Sequence, residues 1–356
     1  MISFNVRGAL TIVVTMAVAL SMVLLSAAPV ADARNVKWKT PVVVAEDARY
    51  MTLDLVTGDT GTYILSWEHP AGRVLLSKSY DGGATWDTAV DVFGMPIWGT
   101  YPSMCVEPNG DADTILVASG PNYVAKSVDS GATFQRLADV PMPDYDTWYC
   151  PTAIGTNASW FGGDGEDDIY FVGGFYVGIP WTGRYVLHFS MSHDGGSSWT
   201  TPVVVSTEDY ESLWPEVLSD GERLYVFHSV ANSMNLHIKY SDDWGQTWHD
   251  GGDIATAEGA GGIAALKVQP IDDKKAFITV WDVYGPYGTG FARCGYFMYD
   301  DMSFKETFRV DDPDWHFGMF GLNVEMESMS EFNIAWIDQA PDGTYTIMFA
   351  NSLPKN

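Results

Sequence analysis

The chain alternates short apolar runs with polar turns over most of its length. Residues 51–56, 62–67 and 73–79 are rich in apolar and β-branched positions, and residues 88–92 form a shorter run after the next turn. Glycine, proline and aspartate separate these runs, as expected between β-strands. Four short strands in succession are typical of one blade of a β-propeller. No amphipathic helical stretch of useful length follows the N-terminal segment, so the pattern predicts an all-β fold.

An eight-residue pattern, Ser-x-Asp-x-Gly-x-(Thr/Ser)-(Trp/Phe), occurs four times, and we call each copy a box. The boxes occupy residues 79–86, 127–134, 192–199 and 241–248, each after a β-rich run. The Asp carboxylate can accept hydrogen bonds from backbone N–H groups of its own turn, the Gly supplies a positive φ, and the aromatic ring buries apolar area beside the hairpin. The pattern therefore assigns structural roles to Asp81, Gly83, Trp86, Asp129, Gly131, Phe134, Asp194, Gly196, Trp199, Asp243, Gly245 and Trp248.

The number of blades follows from the boxes and from the two ends of the chain. Residues 264–299 and 322–350 contain two further sets of strands without a good box. Residues 38–47 nearly repeat residues 199–209, which directly follow a box and therefore form an outer strand. We expect this N-terminal segment to pair with residues 345–350 as the outer strand of the last blade, which leaves no open edge. The predicted fold is an all-β, six-bladed β-propeller with box turns, closed by its N-terminal strand.

The N-terminal segment differs from the rest of the chain. After Arg7, residues 8–31 carry no charge and are rich in Val, Leu, Ala and Met, and residues 31–33 form a small-x-small cleavage site. These features predict a secretory signal over residues 1–33 and a propeller over residues 34–356. An uncleaved membrane anchor is the alternative, because the run is long enough to span a bilayer. Both interpretations predict a secreted or cell-surface protein.

The charge balance excludes several kinds of partner. The chain has 46 Asp plus Glu against 19 Lys plus Arg, which gives a formal net charge of -27. Such a surface repels phosphate backbones and anionic lipids, so we expect no nucleic acid and, after signal cleavage, no membrane as a partner. The acids could hold Ca²⁺, but no loop has an ordered calcium spacing, so no metal and no cofactor is predicted. We expect a monomer.

The boxes resemble the Asp-box repeats of bacterial neuraminidases, and residues 38–352 are similar to the sialidase superfamily of six-bladed propellers. This resemblance implies the fold more strongly than the activity, because Asp boxes also occur in glucan hydrolases, sorting receptors and assembly factors. Family sialidases bind the substrate carboxylate with three arginines, the first in an Arg-Ile-Pro motif. Here Arg49 is followed by Tyr50 and Met51, and His228 stands where a second family arginine is expected.

The nucleophile of the family is a tyrosine on the inner strand of the sixth blade, activated by a glutamate of the fourth blade. Glu211 and Glu216 are candidates for the glutamate, but residues 317–324 contain no tyrosine. The phenylalanines of that segment have no hydroxyl with which to attack an anomeric carbon. The resemblance therefore does not extend to ordinary sialidase activity.

In a propeller of this kind, the loops between blades and the loops between second and third strands open on the face opposite the boxes. These loops combine aromatic rings with acids, which suits neutral sugars, although the same rings could plug the channel and pack adjacent blades. The candidate ligand-binding residues are Trp98, Tyr101, Tyr145, Trp148, Tyr149, Tyr176, Trp181, Trp214, His228, Tyr284, Tyr287, Trp315 and His316. The candidate catalytic residues are Arg49, Asp146, Glu211, Glu216 and Asp314.

These features predict a propeller that recognises carbohydrate or a glycosylated surface, with a glycan or glycoprotein as its partner. One alternative is a glycoside hydrolase that uses channel-facing carboxylates in place of the tyrosine and arginines. Another is a structural or protein-docking module of the cell envelope. Converging acids with perturbed pKa values in a deep pocket favour the enzyme, a shallow aromatic groove favours glycan binding, and a plugged, flat face favours docking.

Overall fold

The computed structural model consists of β-strands joined by turns. It describes residues 36–49, 53–58, 61–97, 100–109, 112–143, 150–156, 168–177, 184–206, 212–230, 234–259, 261–272, 274–284, 289–310, 317–328, 330–340 and 342–353. These ranges contain no helix, and so none that is long and apolar enough to cross a membrane. The predicted signal over residues 1–33 lies outside them.

The described residues form twenty-five strands. They are β1 (Val42–Ala45), β2 (Leu53–Thr57), β3 (Tyr63–His69), β4 (Arg73–Ser79), β5 (Val90–Asp91), β6 (Thr100–Tyr101), β7 (Ser103–Asn109), β8 (Ala112–Ser119), β9 (Tyr123–Ser127), β10 (Gln135–Arg136), β11 (Cys150–Thr156), β12 (Ile169–Val177), β13 (Arg184–Ser192), β14 (Val203–Val204), β15 (Ser212–Ser219), β16 (Leu224–Val230), β17 (Asn235–Ser241), β18 (His249–Thr256), β19 (Gly262–Asp272), β20 (Lys275–Tyr284), β21 (Thr289–Met298), β22 (Ser303–Val310), β23 (Phe317–Ser328), β24 (Glu331–Gln339) and β25 (Tyr345–Asn351).

The strands form six antiparallel blades arranged in a ring. Blades 1 to 5 have the strand orders β2-β3-β4-β5, β7-β8-β9-β10, β11-β12-β13-β14, β15-β16-β17-β18 and β19-β20-β21-β22. Blade 6 has the order β23-β24-β25-β1. The first strand of each blade in these orders is its inner strand and faces the central channel. The predicted six-bladed propeller is therefore confirmed.

The N-terminal strand closes the ring as predicted. In β1, Val42 pairs with Phe349 and Val43 pairs with Met348, both in antiparallel register with β25. The backbone N–H of Lys39 donates to the carbonyl of Asn351 at 2.8 Å and extends this pairing. The two ends of the chain thus share the sheet of blade 6, and the edge of β25 is covered.

One short strand does not belong to the regular pattern of four. Thr100 and Tyr101 were expected in a loop between blades, but they form β6 and pair in parallel with Cys150 and Pro151 of β11. Blade 3 therefore contains a fifth, inner strand contributed by the segment that leads into blade 2. The backbone of Tyr101 is fixed beside the channel by this pairing.

The four boxes have the same geometry. In the first, the amide of Gly83 donates to Ser79 Oγ at 2.8 Å, and the amide and hydroxyl of Thr85 donate to the two carboxylate oxygens of Asp81 at 2.9 and 2.6 Å. The corresponding bonds in the other three boxes are 2.6 to 2.9 Å long. The predicted structural role of the box residues rests on this shared network, since each carboxylate satisfies an amide and a hydroxyl of its own turn.

Each box also contacts the preceding blade. A Cβ atom at Gly83, where φ is 83°, would lie 2.1 Å from the ring of Phe349 in blade 6. Gly245 has the same relation to Phe189 of blade 3. The box tryptophans, Trp86 and Trp248, meet the same two rings edge-on, with centroids 5.2 and 5.3 Å apart. Only glycine permits this approach, so the boxes couple neighbouring blades as well as turning the chain.

Strand register places the boxes at one end of the channel. In blade 1, Thr57 at the end of β2 pairs with Tyr63, and Tyr63 pairs with Ser79 at the start of the box. Leu53, at the start of β2, lies at the opposite end of the sheet. We call the end where the inner strands begin the entry face and the other end the box face.

Candidate functional site

A buried ion pair crosses the central channel. Asp54 and Lys267 lie on inner strands of blades 1 and 5, at positions whose alternation turns the side chain inward. Lys267 Nζ lies 2.8 Å from Asp54 Oδ1 and 2.9 Å from Oδ2. Only 3% of Asp54 and 6% of Lys267 is exposed. Charges removed from water to this extent persist only when they are paired and hydrogen-bonded.

Residues of two further blades donate hydrogen bonds to Asp54. The backbone N–H of Met104 in blade 2 donates to Asp54 Oδ2 at 2.6 Å, and Asn323 Nδ2 in blade 6 donates to Oδ1 at 2.9 Å. Burial raises the pKa of Asp54, and the Lys267 ammonium and the backbone N–H of Met104 oppose that rise. Because every donor favours the ionised form, we assign Asp54 as a carboxylate. The carboxylate therefore holds four blades together at the channel axis.

Two buried glutamates accompany the pair. Burial raises the pKa of Glu216, on β15, and of Glu325, on β23, to about 8 in each case, although Lys267 lowers both values. Thr57 Oγ1 donates to Glu325 Oε2 at 2.8 Å. Burial disfavours the Lys267 ammonium, but the three neighbouring carboxyl groups outweigh this effect and raise its pKa. At neutral pH the charges are therefore those of the Asp54–Lys267 pair, and both glutamates are protonated.

Cavities lie on both sides of these charges. The cavity toward the entry face has a volume of about 50 Å³ and is lined by Asp54, Asn323, Tyr101 and Trp214, among others. The cavity toward the box face, of about 100 Å³, is lined by Lys267 and Glu325 among others. Glu216 lines both. We call the first cavity the entry chamber.

Two aromatic rings form one side of the entry chamber. Tyr101 and Trp214 meet edge to face, with ring centroids 4.8 Å apart and planes inclined by 81°. Trp214 has a φ of 53° and lies where β15 is irregular, between Leu213 and Glu216. Bulges of this kind redirect side chains next to functional sites. The irregularity places a predicted aromatic residue and a predicted catalytic acid in the same chamber.

Other predicted site residues lie elsewhere in the propeller. Arg49 Nη1 contacts Glu68 Oε1 of β3 at 2.6 Å. His228 is 98% buried in β16, where its ring lies 5.3 Å from that of His237. Tyr176 packs edge to face on a neighbouring tyrosine of the β12–β13 hairpin. Their assignment to a ligand site stays a prediction.

The remaining predicted site residues lie outside the described residues. They are Trp98, Tyr145, Asp146, Trp148, Tyr149, Trp181, Glu211, Tyr287, Asp314, Trp315 and His316. Tyr284 ends β20, and its side chain also lies outside the description.

The sequence analysis missed four channel residues: Asp54, Lys267, Asn323 and Glu325. Each is a polar residue at an inward-facing position of a strand that is otherwise largely apolar, as in Leu53–Thr57. That interruption is a usable signal, because a charge in a buried strand needs a partner.

Comparisons with known proteins agree with this architecture. No family model matches the chain. A xyloglucanase from Paenibacillus sp. is 28% identical over 149 residues, which are 39% of this chain and only 14% of that relative's length. A protein of unknown function from Dyadobacter fermentans superposes with a TM-score of 0.65 at 16% identity, over 90% of this chain and 99% of the other.

Two carbohydrate-active enzymes also superpose. The Hadza microbial sialidase Hz136 gives a TM-score of 0.59 at 15% identity, over 85% of this chain and 65% of the sialidase. The fold is that of a sialidase-like propeller. The α-L-arabinofuranosidase of Fusarium graminearum, in complex with arabinobiose, gives 0.54 at 15% identity, over 89% of this chain and 98% of the enzyme. At these identities the superpositions show a shared sialidase-like propeller fold. The activity therefore has to be inferred from the residues of the site.

Proposed function

We propose that this propeller binds a neutral carbohydrate at its entry face, with Tyr101 and Trp214 as the apolar contact and the Asp54–Lys267 pair beneath them. The observation that carries this proposal is the meeting of the two rings and Glu216 in one chamber. Aromatic rings contact the C–H faces of sugars, and carboxyl groups bind sugar hydroxyls. The predicted signal over residues 1–33 leads us to propose further that binding takes place outside the cell.

The charges around the chamber favour a neutral ligand over an anionic one. Lys267 is already neutralised by Asp54, and no arginine lines the entry chamber within the described part of the chain. The net charge of -27 opposes the approach of an anion. The protonated Glu216 adds no further negative charge to the chamber and offers an O–H donor to a sugar oxygen.

The named relatives support a carbohydrate as the ligand class. Xyloglucanase, sialidase and arabinofuranosidase are all named for carbohydrate substrates. Two of these substrates, xyloglucan and arabinan-type sugars, are neutral. We therefore choose xyloglucan oligosaccharides and arabinobiose as the first ligands to test, with sialyllactose as the anionic comparison.

The test is a calorimetric titration of the mature protein with these three ligands. We expect a neutral ligand to bind and Trp214→Ala to weaken it at least ~10-fold, since stacking contacts to aromatic rings are worth about 1–3 kcal/mol. Tyr80→Ala is the matched control, because Tyr80 is an exposed aromatic on the box face. Unchanged affinity in Trp214→Ala, or tighter binding of sialyllactose than of either neutral ligand, contradicts the proposal.

Hydrolysis of the bound glycan is the second candidate function, and the protonation of Glu216 favours it. A carboxyl group that keeps its proton to about pH 8 can serve as the general acid of a glycosidase, with an ionised carboxylate nearby as its counterpart. Asp54 is the ionised carboxylate that lines the same chamber. This candidate requires that a glycosidic oxygen reach Glu216.

Hydrolysis of chromogenic arabinosides and of xyloglucan tests this candidate. If it is correct, Glu216→Gln lowers kcat at least ~100-fold while the binding of arabinobiose is kept, because a general acid acts mainly in the transition state. The wild-type rate should fall as the pH rises through about 8. Glu325→Gln serves as the control for removal of a buried acid. A rate that survives Glu216→Gln excludes this mechanism but leaves the binding proposal intact.

A further inference from the structure

A groove on the box face lies between blades 3 and 4, at the opposite end of the strands from the entry chamber. Its volume is about 610 Å³, which is within the range of ~300–1,000 Å³ typical of small-molecule sites. Phe189 and Met191 of β13 are almost fully buried and contribute its apolar part. Trp244 and Gln246 of the fourth box line it from blade 4. We call it the blade 3–4 groove.

Trp244 is an exception within the repeat. It occupies the fourth box position, where the other boxes have Gly82, Ser130 and Gly195. All four residues adopt a positive φ, and that of Trp244 is 57°. A bulky residue in this conformation costs about 1 kcal/mol or more relative to glycine. The turn itself therefore does not favour a tryptophan, and the indole is half-buried against the blade 3 core that contains Phe189 and Met191.

Polar side chains complete the lining of the groove, together with Val203. His193 Nδ1 lies 2.8 Å from Asp168 Oδ1, so the two titratable groups that line the groove pair with each other. Thr201 is exposed at the edge. The amide of Gln246 is held by a hydrogen bond from Nε2 to the carbonyl of Asp243 at 3.0 Å. Hydroxyl, amide and imidazole groups around an indole ring match the alternating hydroxyls and C–H faces of a sugar.

We propose that the blade 3–4 groove is a second saccharide-binding site, which takes a short neutral oligosaccharide against Trp244. The strained tryptophan supplies the apolar contact, and the polar groups at the edge bind the hydroxyls. This site is independent of the entry chamber, and neither proposal requires the other. Ligands bound at the two faces would contact opposite ends of the same propeller.

The test follows tryptophan indole N–H signals by NMR while xyloglucan oligosaccharides, arabinobiose and cellohexaose are added. Trp244→Gly identifies the signal of Trp244 and restores the residue found in two other boxes. Ser130→Gly makes the same change in a box whose φ is 53° and is the matched control. We expect at least one oligosaccharide to shift the Trp244 signal, with affinity at this site lost in Trp244→Gly and unchanged in Ser130→Gly and in Trp214→Ala.

Two results would overturn the proposal. One is that none of the three oligosaccharides shifts the Trp244 signal of the wild-type protein. The other is that all shifts disappear in Trp214→Ala, which would place binding at the entry chamber alone. Thermal unfolding of Trp244→Gly separates binding from folding: a structural role predicts a marked loss of Tm, whereas relief of the positive φ offsets lost packing. If that variant unfolds, Thr201→Val replaces it and should weaken binding at least ~3-fold.

Discussion

The box aspartates and the channel glutamates are carboxyl groups of the same propeller, but their pKa values are shifted in opposite directions. Hydrogen bonds from the Thr85 side chain and amide lower the pKa of Asp81 to about 2, and Asp129 has the same value through Thr133. Burial raises the pKa values of Glu216 and Glu325 to about 8. The first group lies at the surface and the second lines the channel.

This difference shows that burial and the hydrogen-bond donors around each carboxyl group, rather than the net charge of the protein, decide which acids are ionised. The box carboxylates have an amide and a hydroxyl on their two oxygens and lie at the surface. The channel glutamates share one ammonium that Asp54 already occupies. A formal charge of -27 therefore overstates the charge of the folded protein at neutral pH, because the glutamates of the channel contribute little to it.

Removal of the Lys267 ammonium should cause the largest loss of folding stability. Lys267→Met leaves Asp54 buried without its counter-ion and should lower the free energy of unfolding by about 3–5 kcal/mol, measured by urea denaturation at pH 7. Lys305→Met removes an exposed lysine paired with Asp301 and should cost less than ~1 kcal/mol. Asp54→Asn in the Lys267→Met background should recover part of the loss. Equal, small losses for the two lysines would mean that the channel is hydrated enough to solvate Asp54.

The pH dependence of stability should come next in size. The folded pKa of Glu325 lies above its ordinary value of 4.5, so its protonated form stabilises the folded state and stability falls as the pH rises from about 4.5 through 8. Glu325→Gln keeps the hydrogen bond from Thr57 and should raise stability at pH 9 by about 2–4 kcal/mol, with little effect at pH 4. Thermal unfolding from pH 4 to 9 measures this. A Tm that does not fall toward alkaline pH in the wild type contradicts the burial of these acids.

Loss of one box carboxylate should cause the smallest loss of stability of the three changes. The pKa of Asp129 is lowered below its ordinary value of 3.8, so its contribution is present above pH 4 and is lost as the pH falls toward 2. Asp129→Ala should lower Tm by about 2–4 °C at pH 7, because the three hydrogen bonds that its carboxylate accepts in the turn are removed. Asp139→Ala, in the same blade, removes an exposed partner of Arg136 and should leave Tm unchanged. The reverse order of the two variants would show that the box is not a stabilising element.

The fold could be predicted from the sequence because its signals are local or repeated. Each box carries its own acceptor, glycine and aromatic ring within eight residues, and the likeness of residues 38–47 to residues 199–209 indicated the closing strand. The contacts of the candidate site, in contrast, join residues that are far apart in the sequence. Asp54 and Lys267 come from different blades, and only closure of the ring brings them to 2.8 Å. No spacing along the chain reports such a contact.

The aromatic residues illustrate the same limit. Tyr101 and Trp214 were predicted to bind ligand on the basis of composition, and their place beside the channel depends on β6 and on the irregularity of β15. The pairing of β6 with β11 joins segments remote in sequence and has no local marker. The irregularity of β15 coincides with Pro215, which cannot donate to the ladder and could have indicated it. His228 was selected by analogy with a family arginine, and its burial in β16 follows from the apolar residues on either side of it.

The pairing of β1 with β25 has a consequence for biogenesis. The first strand of the propeller to leave the ribosome is the last to find its partner, because β25 follows every other strand of the propeller along the chain. Until β1 and β25 pair, blade 6 lacks its outer strand and the ring of the nascent propeller is not closed. In a circular permutant whose new termini lie between two blades, every blade would be formed by consecutive strands. Its refolding rate would show whether the pairing of β1 with β25 limits the rate of folding.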